Sequence, residues 1–358
     1  MKKTGTPYTL LVINPGSTST KLALFRNDAV KKTATISHSA GERKRSDTVS
    51  LQTDFRLGFI RSFVRASGVK TLSAIAARGG LLRPVKSGVY RVNAAMLRDL
   101  KQGRFGSHAS NLGALCAAPL AEEYNCPAYI VDPVVVDEMD EAAKITGIPA
   151  IRRRSLFHAL NHKSAAREIA QRLGKKYEAC NFIVAHLGGG ISVGAHCRGR
   201  VVDVNNALDG DGPFSPERAG SVPAGDLLRL FARSTAPLET FVKKIAGRGG
   251  LAAYCGTSDL RAIMRKIEKG DKKSTLIVAA MICRISKEIA MHGATLRGKV
   301  DAIILTGGMA HDRRIVRGIT ERVSFLAPVH VVPGEREMGS LALAVLRVLN
   351  HKENALSY

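Results

Sequence analysis

The sequence predicts a two-lobed α/β protein with mixed sheets and a cleft between the lobes. Its 358 residues exceed what one hydrophobic core usually serves, so two domains are expected. Two strand-turn-strand segments also repeat at a fixed distance: Asn14 aligns with His186 and Gly16 with Gly188, each 172 positions later (186 − 14 and 188 − 16). Helices alternating with single strands follow each copy, which is the order expected for a duplicated α/β domain.

Each repeated unit begins with a β-hairpin whose tip is rich in small residues. In the first unit, a strand that begins at Leu10 leads through a turn into Lys21–Phe25. In the second unit, a strand that begins at Phe182 leads through three glycines into Val193–Cys197, and a third strand follows at Val201–Val204. Apolar and β-branched residues on both sides of a short turn are typical of paired strands.

The segments between and after the hairpins show the apolar spacing of helices or of short buried strands. The predicted helices are Ala94–Gln102, Ser110–Tyr124, Ser155–Leu173, Ser274–Leu296, Asp312–Glu321 and Met338–Leu349. The predicted strands are Ala128–Val131, Ala302–Leu305 and Val329–Val332. We predict an N-terminal lobe of residues 1–160 plus 338–358, closed by the last helix, and a C-terminal lobe of residues 161–337.

The composition argues against several classes of protein. Six scattered cysteines without a C-x-x-C pair indicate neither a zinc ribbon nor a disulfide framework. The N-terminal segment does not resemble a signal peptide, and no run reaches the about 18 apolar residues of a membrane span, so we expect a cytoplasmic protein without a membrane partner. The net charge of +24 would suit nucleic acid, but the basic residues are dispersed and no nucleic-acid-binding motif accompanies them.

Three glycine-rich loops follow predicted strands. The first, Asn14–Lys21, combines small residues with four hydroxyl groups and a lysine, as phosphate binding requires, although a polar hairpin turn is the alternative. The second, His186–Gly190, contains three consecutive glycines, which indicate a sharp bend or a close ligand. The third, Thr306–Ala310, joins a buried strand to a helix. Together the loops favour a nucleotide in the cleft, with the first loop in the N-terminal lobe and the others in the C-terminal lobe.

Six motifs follow one another along the chain: Ile13–Lys21, Arg78–Gly80, Phe157–His158 with His162, His186–Gly190, Arg218–Pro223 and Leu305–Gly308. Their order resembles that of acetate and butyrate kinases. The resemblance runs from Tyr8 to Leu349 and is closest to the butyrate kinase branch of this acetate kinase family of acyl kinases. It implies the actin-like ATPase fold, in which two duplicated, ribonuclease H-like domains are separated by an interlobe cleft.

The resemblance also implies roles for individual residues. The catalytic residues would be Arg218, His158, His186 and Asp132. The magnesium site would contain Asp132, Asn14 and Glu337, with Glu335 as the alternative to Glu337. The residues that match the phosphate and nucleotide loops are Asn14, Gly16, Ser17, Ser19, Lys21, Gly188, Gly189, Gly190, Gly307 and Gly308. Arg78 would hold the substrate carboxylate, and His162 is either a further partner at the site or a structural residue. The implied cofactors are ATP or ADP and Mg²⁺, and the implied assembly is a homo-oligomer.

The implied reaction is the reversible transfer of a phosphoryl group from ATP to a short-chain carboxylate, which gives an acyl phosphate. A carboxylic acid is already ionised at neutral pH, so its attack on phosphorus needs no general base. The reaction instead needs neutralisation of negative charge and in-line alignment. Small residues in Gly79–Leu82, near the expected acyl pocket, leave room for butyrate or a branched relative, and propionate remains an alternative.

Two other interpretations stay open at this stage. The chain could be another phosphotransferase or hydrolase of the same superfold, such as a sugar kinase or an exopolyphosphatase-like enzyme. Those enzymes need a carboxylate that deprotonates a hydroxyl group or water, and they lack the pairing of His186–Gly190 with Arg218–Pro223. The alternative from another class is a basic nucleic-acid-associated ATPase, for which binding retained at high salt would be required.

Overall fold

The computed structural model describes residues 7–16, 18–39 and 49–358. Packing divides the chain into unit 1, which ends at Val136 and resumes at Arg336, and unit 2, Asp137–Glu335. Unit 2 begins 24 residues earlier than the 160/161 boundary predicted from the sequence (160 − 136). It ends two residues before the predicted 337/338 boundary (337 − 335). Two ion pairs, Glu138–Lys163 and Arg153–Asp203, hold the segment before residue 160 to unit 2.

Each unit contains one sheet. In chain order the strands are β1 (Thr9–Pro15), β2 (Ser19–Arg26), β3 (Ala29–Ser37), β4 (Ala74–Arg78), β5 (Val89–Arg91), β6 (Ala128–Val131), β7 (Asn181–Leu187), β8 (Ile191–Cys197), β9 (Arg200–Val204), β10 (Ala302–Gly307), β11 (Val329–Pro333) and β12 (Leu356–Ser357).

Helices cover both sheets. In chain order they are α1 (Val49–Arg65), α2 (Ala94–Gln102), α3 (Leu112–Glu123), α4 (Glu141–Lys144), α5 (Ala159–Arg172), α6 (Ala224–Ala232), α7 (Leu238–Ile245), α8 (Gly250–Cys255), α9 (Leu260–Glu268), α10 (Lys272–Thr295), α11 (Arg313–Val323) and α12 (Glu337–Leu349). Over the ranges that the structure describes, no helix is both long and apolar enough to cross a membrane.

The sheet of unit 1 has the strand order β12-β5-β6-β4-β1-β2-β3. Strands β1, β2 and β3 form an antiparallel meander, while β4 runs parallel to β1 and β6 runs parallel to β4. The run Leu10–Pro15 is buried without interruption, which requires cover on both faces of the sheet. Helices α3 and α12, which both pack on β1, β4 and β6, supply this cover. The carboxyl ends of three parallel strands therefore meet at one edge.

The sheet of unit 2 repeats this arrangement, with the order β11-β10-β7-β8-β9. Its meander is β7, β8 and β9, and β10 and β11 run parallel to β7 on the other side. Strand β7 begins and ends 172 positions after β1 (181 − 9 and 187 − 15), which is the spacing of the repeat in the sequence. Successive residues of β7 enter different core clusters: Phe182 packs with Ile169 of α5, and Ile183 with Ile285 of α10. This alternation is the expected consequence of the strand period of two.

Candidate active site

Three predicted site residues lie at the carboxyl edge of the sheet in unit 1. Asn14 is the last residue but one of β1, Arg78 is the last residue of β4, and Asp132 directly follows β6. Because these three strands are parallel neighbours in register, their carboxyl ends bring the three residues to the same edge. Ligands of α/β proteins commonly bind outside this edge of a sheet.

Glu337 joins this group because α12 begins beside it. The side chain is buried, and its Oε2 accepts a hydrogen bond from Asn14 Nδ2 at 2.5 Å. Its Oε1 lies 3.2 Å from Arg78 Nη1. Glu335 belongs to unit 2, where its Oε1 lies 3.7 Å from His186 Nε2. Of the two glutamates that the sequence left open, Glu337 is therefore the one that contacts Asn14.

Asp132 is held rigidly at the end of β6. Its Oδ1 accepts hydrogen bonds from Ser87 Oγ at 2.6 Å and from the Gly88 amide at 2.9 Å, and its own amide donates to the Gly88 carbonyl at 3.0 Å. The residue has a φ of +36°, a left-handed conformation that aspartate tolerates better than most residues. The carboxylate is buried, so its position is fixed before any ligand binds.

The residues of this edge fit a magnesium ion that is shared with phosphates. Mg²⁺ prefers oxygen ligands, and proteins usually bind it through one or two carboxylates, waters and substrate phosphates. Asp132 and Glu337 offer two buried carboxylates, and Asn14 offers an amide. Among the residues with described positions, no group of three or more His, Cys, Asp or Glu side chains is arranged to hold a metal ion. The donor set therefore suits a partly ligated magnesium ion rather than a closed protein cage.

The first glycine-rich loop forms a compact turn beside Asn14. The Gly16 amide donates to the Ser19 carbonyl at 2.7 Å. Lys21 lies opposite Asn14 in the β1–β2 register, with an exposed side chain, and directly opposed residues of antiparallel strands are neighbours on one face. Ser17, a predicted phosphate ligand, lies outside the described residues. The loop thus places a lysine next to the end of β1.

A buried arginine that sequence analysis missed supports this loop from α1. The guanidinium of Arg56 donates to the Gly16 carbonyl at 2.9 Å, to the Ser19 carbonyl at 3.2 Å and to Thr20 Oγ1 at 2.6 Å. Only 3% of the residue is exposed, and burial lowers the pKa of the guanidinium. No local pattern in the sequence signals contacts that span 36 to 40 positions.

In unit 2, His186 occupies the place on β7 that Asn14 occupies on β1. Its ring stacks on that of His158, with centroids 3.8 Å apart and planes inclined by 12°. Its Nδ1 lies 2.8 Å from Asn161 Oδ1, so the amide oxygen of Asn161 accepts from the Nδ1–H group. His162 is fully buried behind this pair, and Ser192 Oγ lies 2.9 Å from both His158 Nδ1 and His162 Nε2.

Arg218 lies directly over the second glycine-rich loop. A Cβ atom added to Gly190 would collide with the guanidinium of Arg218, so only glycine permits this approach. Ser215 Oγ ties the two segments together, because it donates to the Gly189 carbonyl at 2.6 Å and accepts from the Arg218 amide at 3.1 Å. Arg218 Nη1 donates to the Ala207 carbonyl, and burial lowers the pKa of the guanidinium. Sequence analysis did not identify Ser215.

The second and third glycine-rich loops are neighbours at the edge of the unit 2 sheet. Thr306 of β10 pairs with His186 of β7. Gly307 follows with a φ of +87°, and a Cβ atom there would meet the backbone of Leu187. The Gly188 amide donates to the Gly190 carbonyl at 3.2 Å, while Gly308 has open space around its Cα. Backbone amides of both loops therefore flank the end of β7.

The predicted residues thus form one group in each unit. The group of unit 1 contains Asn14, Gly16, Ser19, Lys21, Arg78, Asp132 and Glu337. The group of unit 2 contains His158, His186, Gly188, Gly189, Gly190, Arg218, Gly307 and Gly308. Oxygen ligands for a cation dominate the first group. Hydrogen-bond donors and a cationic guanidinium, which suit a phosphoryl group, dominate the second.

Comparison with known proteins gives the family of the chain. A model of the acetokinase family matches residues 143–328. Butyrate kinase 1 of Clostridium acetobutylicum is 49% identical over 353 residues, which cover 98% of this chain and 99% of the relative. A probable butyrate kinase of Enterococcus faecalis is 48% identical over 350 residues, which cover 98% and 97%.

Among solved structures, the acetate kinase of Porphyromonas gingivalis superposes with a TM-score of 0.78 over 96% of this chain and all of its own, at 19% identity. A propionate kinase of Francisella tularensis superposes with a TM-score of 0.75 over 94% of this chain and 98% of its own, also at 19% identity. These likenesses show the fold, and they confirm the predicted two-lobed α/β fold class of actin-like ATPases.

Proposed function

Because the chain belongs to the acetokinase family and phosphorylates a carboxylate with ATP, we propose that its preferred acceptor is butyrate or a branched relative of similar length. The 49% identity to butyrate kinase 1, over 98% of the chain, carries this proposal. The family and the enzyme class predicted from the sequence are confirmed. The family assignment also sets aside the sugar kinase and hydrolase alternatives, while the expected absence of a nucleic-acid partner stays a prediction.

Asp132, Glu337 and Asn14 are the proposed magnesium residues. A magnesium ion bound there would neutralise charge on the phosphate oxygens of ATP. Asp132 supports this role because two hydrogen bonds fix its carboxylate. Glu337 supports it because Asn14 orients one of its carboxylate oxygens. The amides of the first loop, with Ser19 and Lys21, would bind the phosphates on the same side.

Arg78 is the proposed ligand of the substrate carboxylate. A guanidinium has five N–H donors in a planar fork, so it can hold Glu337 with some of them and a second carboxylate with the others. Its side chain is 23% exposed, whereas that of Glu337 is only 8% exposed. The pairing with Glu337 would therefore orient the guanidinium while part of it stays accessible to a substrate.

Arg218, His158 and His186 are the proposed stabilisers of the phosphoryl group in the transition state. The acceptor carboxylate is ionised at neutral pH, so none of these groups needs to remove a proton from it. They act instead by opposing the negative charge that accumulates on the phosphoryl oxygens. Partial burial strengthens the guanidinium's interaction with that charge, because the local dielectric is lower than that of water.

Several finer expectations stay predictions. They are the magnesium requirement, the homo-oligomeric assembly, the cytoplasmic location and the domain boundaries at 160/161 and 337/338. Nucleotide binding by the glycine loops around Gly188–Gly190 and Gly307–Gly308 also stays a prediction, and so does the role of each site residue.

A hydroxamate-trapping assay tests the proposed function. The purified protein, magnesium and ATP are incubated with acetate, propionate, butyrate, isobutyrate or a panel of sugars, and the acyl phosphate is trapped with hydroxylamine. Butyrate or isobutyrate should give the highest kcat/KM. Arg218→Ala should lower kcat by a factor of about 10² to 10³, because it removes one positioned donor that stabilises charge in the transition state. Arg229→Ala, which removes an exposed arginine that pairs with Asp226, is the matched control and should keep wild-type kcat. A higher kcat/KM with acetate would overturn the assignment of chain length, and an unchanged kcat in Arg218→Ala would overturn the role of Arg218.

A further inference from the structure

Buried side chains of unit 2 form a continuous chain of hydrogen bonds that ends at His158. In order, the links are Tyr177 Oη to His196 Nδ1 (2.6 Å), His196 Nε2 to His162 Nδ1 (3.3 Å), His162 Nε2 to Ser192 Oγ (2.9 Å), and Ser192 Oγ to His158 Nδ1 (2.9 Å). We call this chain the histidine relay. Its first four residues are at most 4% exposed. The relay therefore runs from the core to a proposed catalytic residue.

The two central histidines of the relay are neutral. Burial lowers the pKa of both His162 and His196 well below 6.5. A neutral imidazole has one N–H donor and one bare nitrogen acceptor. The 3.3 Å link between the two rings then carries a single proton. Consequently all the links of the relay point the same way, either toward His158 or away from it.

The link to Tyr177 selects the direction. The 2.6 Å between Tyr177 Oη and His196 Nδ1 is shorter than the about 2.7 to 3.2 Å of an N–H···O bond and suits an O–H donor, so Tyr177 donates to His196. The His162 proton is then on Nε2, where it faces Ser192 Oγ. The His158 amide points at the same Oγ from 3.5 Å. With two N–H groups directed at Oγ, the hydroxyl hydrogen is left for His158 Nδ1.

We propose that the histidine relay is a positioning device that holds His158 in the tautomer with its proton on Nε2. Tyr177, as the terminal donor, sets the direction of the whole relay. In this tautomer the far side of the His158 ring presents an N–H group. The opposite tautomer would present a lone pair, which repels an anionic phosphoryl oxygen. The consequence for catalysis rests on the proposed function, whereas the tautomer itself does not.

The first test is NMR of protein labelled with ¹⁵N in histidine, which reports which ring nitrogen of each imidazole carries the proton. His158→Gln identifies the resonances of His158. The wild type should show His158 protonated on Nε2 near neutral pH. Tyr177→Phe, which deletes one hydroxyl group, should convert a measurable fraction of His158 to the Nδ1–H tautomer. Tyr8→Phe is the matched control, because it deletes a hydroxyl that donates to the Leu349 carbonyl in unit 1 and is not part of the relay.

The second test is kinetic. Loss of one link is worth about 1 kcal/mol, so Tyr177→Phe should lower kcat about five- to tenfold, with KM changed less than twofold and with Tyr8→Phe unaffected. Ser192→Ala should lower kcat further, and Ser192→Thr, which keeps a hydroxyl, should restore part of it. A wild-type His158 protonated on Nδ1 would overturn the proposal. So would a Tyr177→Phe protein with unchanged tautomer and kcat. If His158→Gln keeps full kcat, the role of His158 in the proposed function fails, while the NMR result still decides the relay.

Discussion

Glu288 on α10 is a residue for which the structure predicts a measurable effect of pH on stability. Its carboxyl group is partly buried and faces Asp211, Arg153 and Asp203. Burial, followed by repulsion from Asp211, raises its pKa from 4.5 to about 7, although Arg153 acts in the opposite direction. Arg153 cannot compensate fully, because its guanidinium already lies 2.8 Å from Asp203 and 3.5 Å from Asp211.

The sign of the effect follows from the direction of this shift. The folded chain holds the Glu288 proton up to about pH 7, whereas the unfolded chain releases it near pH 4.5. The folded state therefore binds more protons between these values, and its free energy of unfolding falls as pH rises through that window. One pKa unit corresponds to 1.36 kcal/mol, so the full loss is about 3 kcal/mol, of which about 2 to 3 kcal/mol falls between pH 5 and pH 8.

Glu288→Gln should abolish this loss, since the amide does not titrate. Urea unfolding of wild type and variant at pH 5 and pH 8 measures the effect as a difference. The difference is needed because the buried His162 and His196 have lowered pKa values, so their contribution is present above pH 6.5 and is lost as pH falls. Relative to wild type, Glu288→Gln should gain about 2 to 3 kcal/mol between pH 5 and pH 8.

The matched control for this experiment is Glu239→Gln, which replaces an exposed carboxylate on α7 of the same unit. Its stability relative to wild type should not change between the two pH values. Parallel stability curves for wild type and Glu288→Gln would refute the reasoning, because they would mean that the carboxyl group ionises equally well in the folded and unfolded chains.

Two further predictions concern a buried ion pair and the proposed magnesium site. Lys163→Met should destabilise the protein by about 3 to 5 kcal/mol in urea unfolding, because it leaves the Glu138 carboxylate without the buried ammonium that lies 2.6 Å away. Lys175→Met, which breaks an exposed pair of similar length (2.8 Å), should cost less than about 1 kcal/mol, and equal losses would contradict the dependence on burial. Glu337→Gln should raise the magnesium concentration for half-maximal activity at least tenfold, a loss of about 1.4 kcal/mol in binding. Glu353→Gln serves as its control, and unchanged magnesium dependence in Glu337→Gln would contradict the proposed metal site.

Local sequence patterns predicted much of the fold. The helix Ala94–Gln102 and the strand Ala128–Val131 have the predicted bounds, because apolar spacing and flanking turn residues are properties of short segments. The duplication was also visible, since the 172-residue spacing is the offset between β1 and β7. Helix α5 begins at Ala159 rather than at residue 155. Apolar spacing alone does not locate a helix start when no capping side chain marks it.

The parts of the fold that were not predicted depend on contacts between distant residues. Strand β3 has an exposed and mixed composition, and it forms because β2 supplies a partner along its whole length. The helix that carries Arg56 has too weak an apolar pattern to be recognised before it is seen packed against α3. The histidine relay could not be predicted for the same reason. His196 and Tyr177 lie 34 and 15 positions from His162, and no periodicity links them.

The two sheet edges of the duplicated fold have opposite chemical preferences, and Asn14 and His186, which stand at matching positions, belong to different groups. Asn14 at the end of β1 joins a group whose members, Asp132 and Glu337, offer oxygen ligands to a cation. His186, 172 positions later, stacks on His158, which together with the guanidinium of Arg218 offers N–H donors to an anion. A kinase needs both preferences, because the metal must hold the phosphates while other groups stabilise the phosphoryl group in transfer. A bare nitrogen at His158 would place an acceptor within the anion-binding group. The proton order of the histidine relay therefore makes His158, like Arg218, a donor in this group.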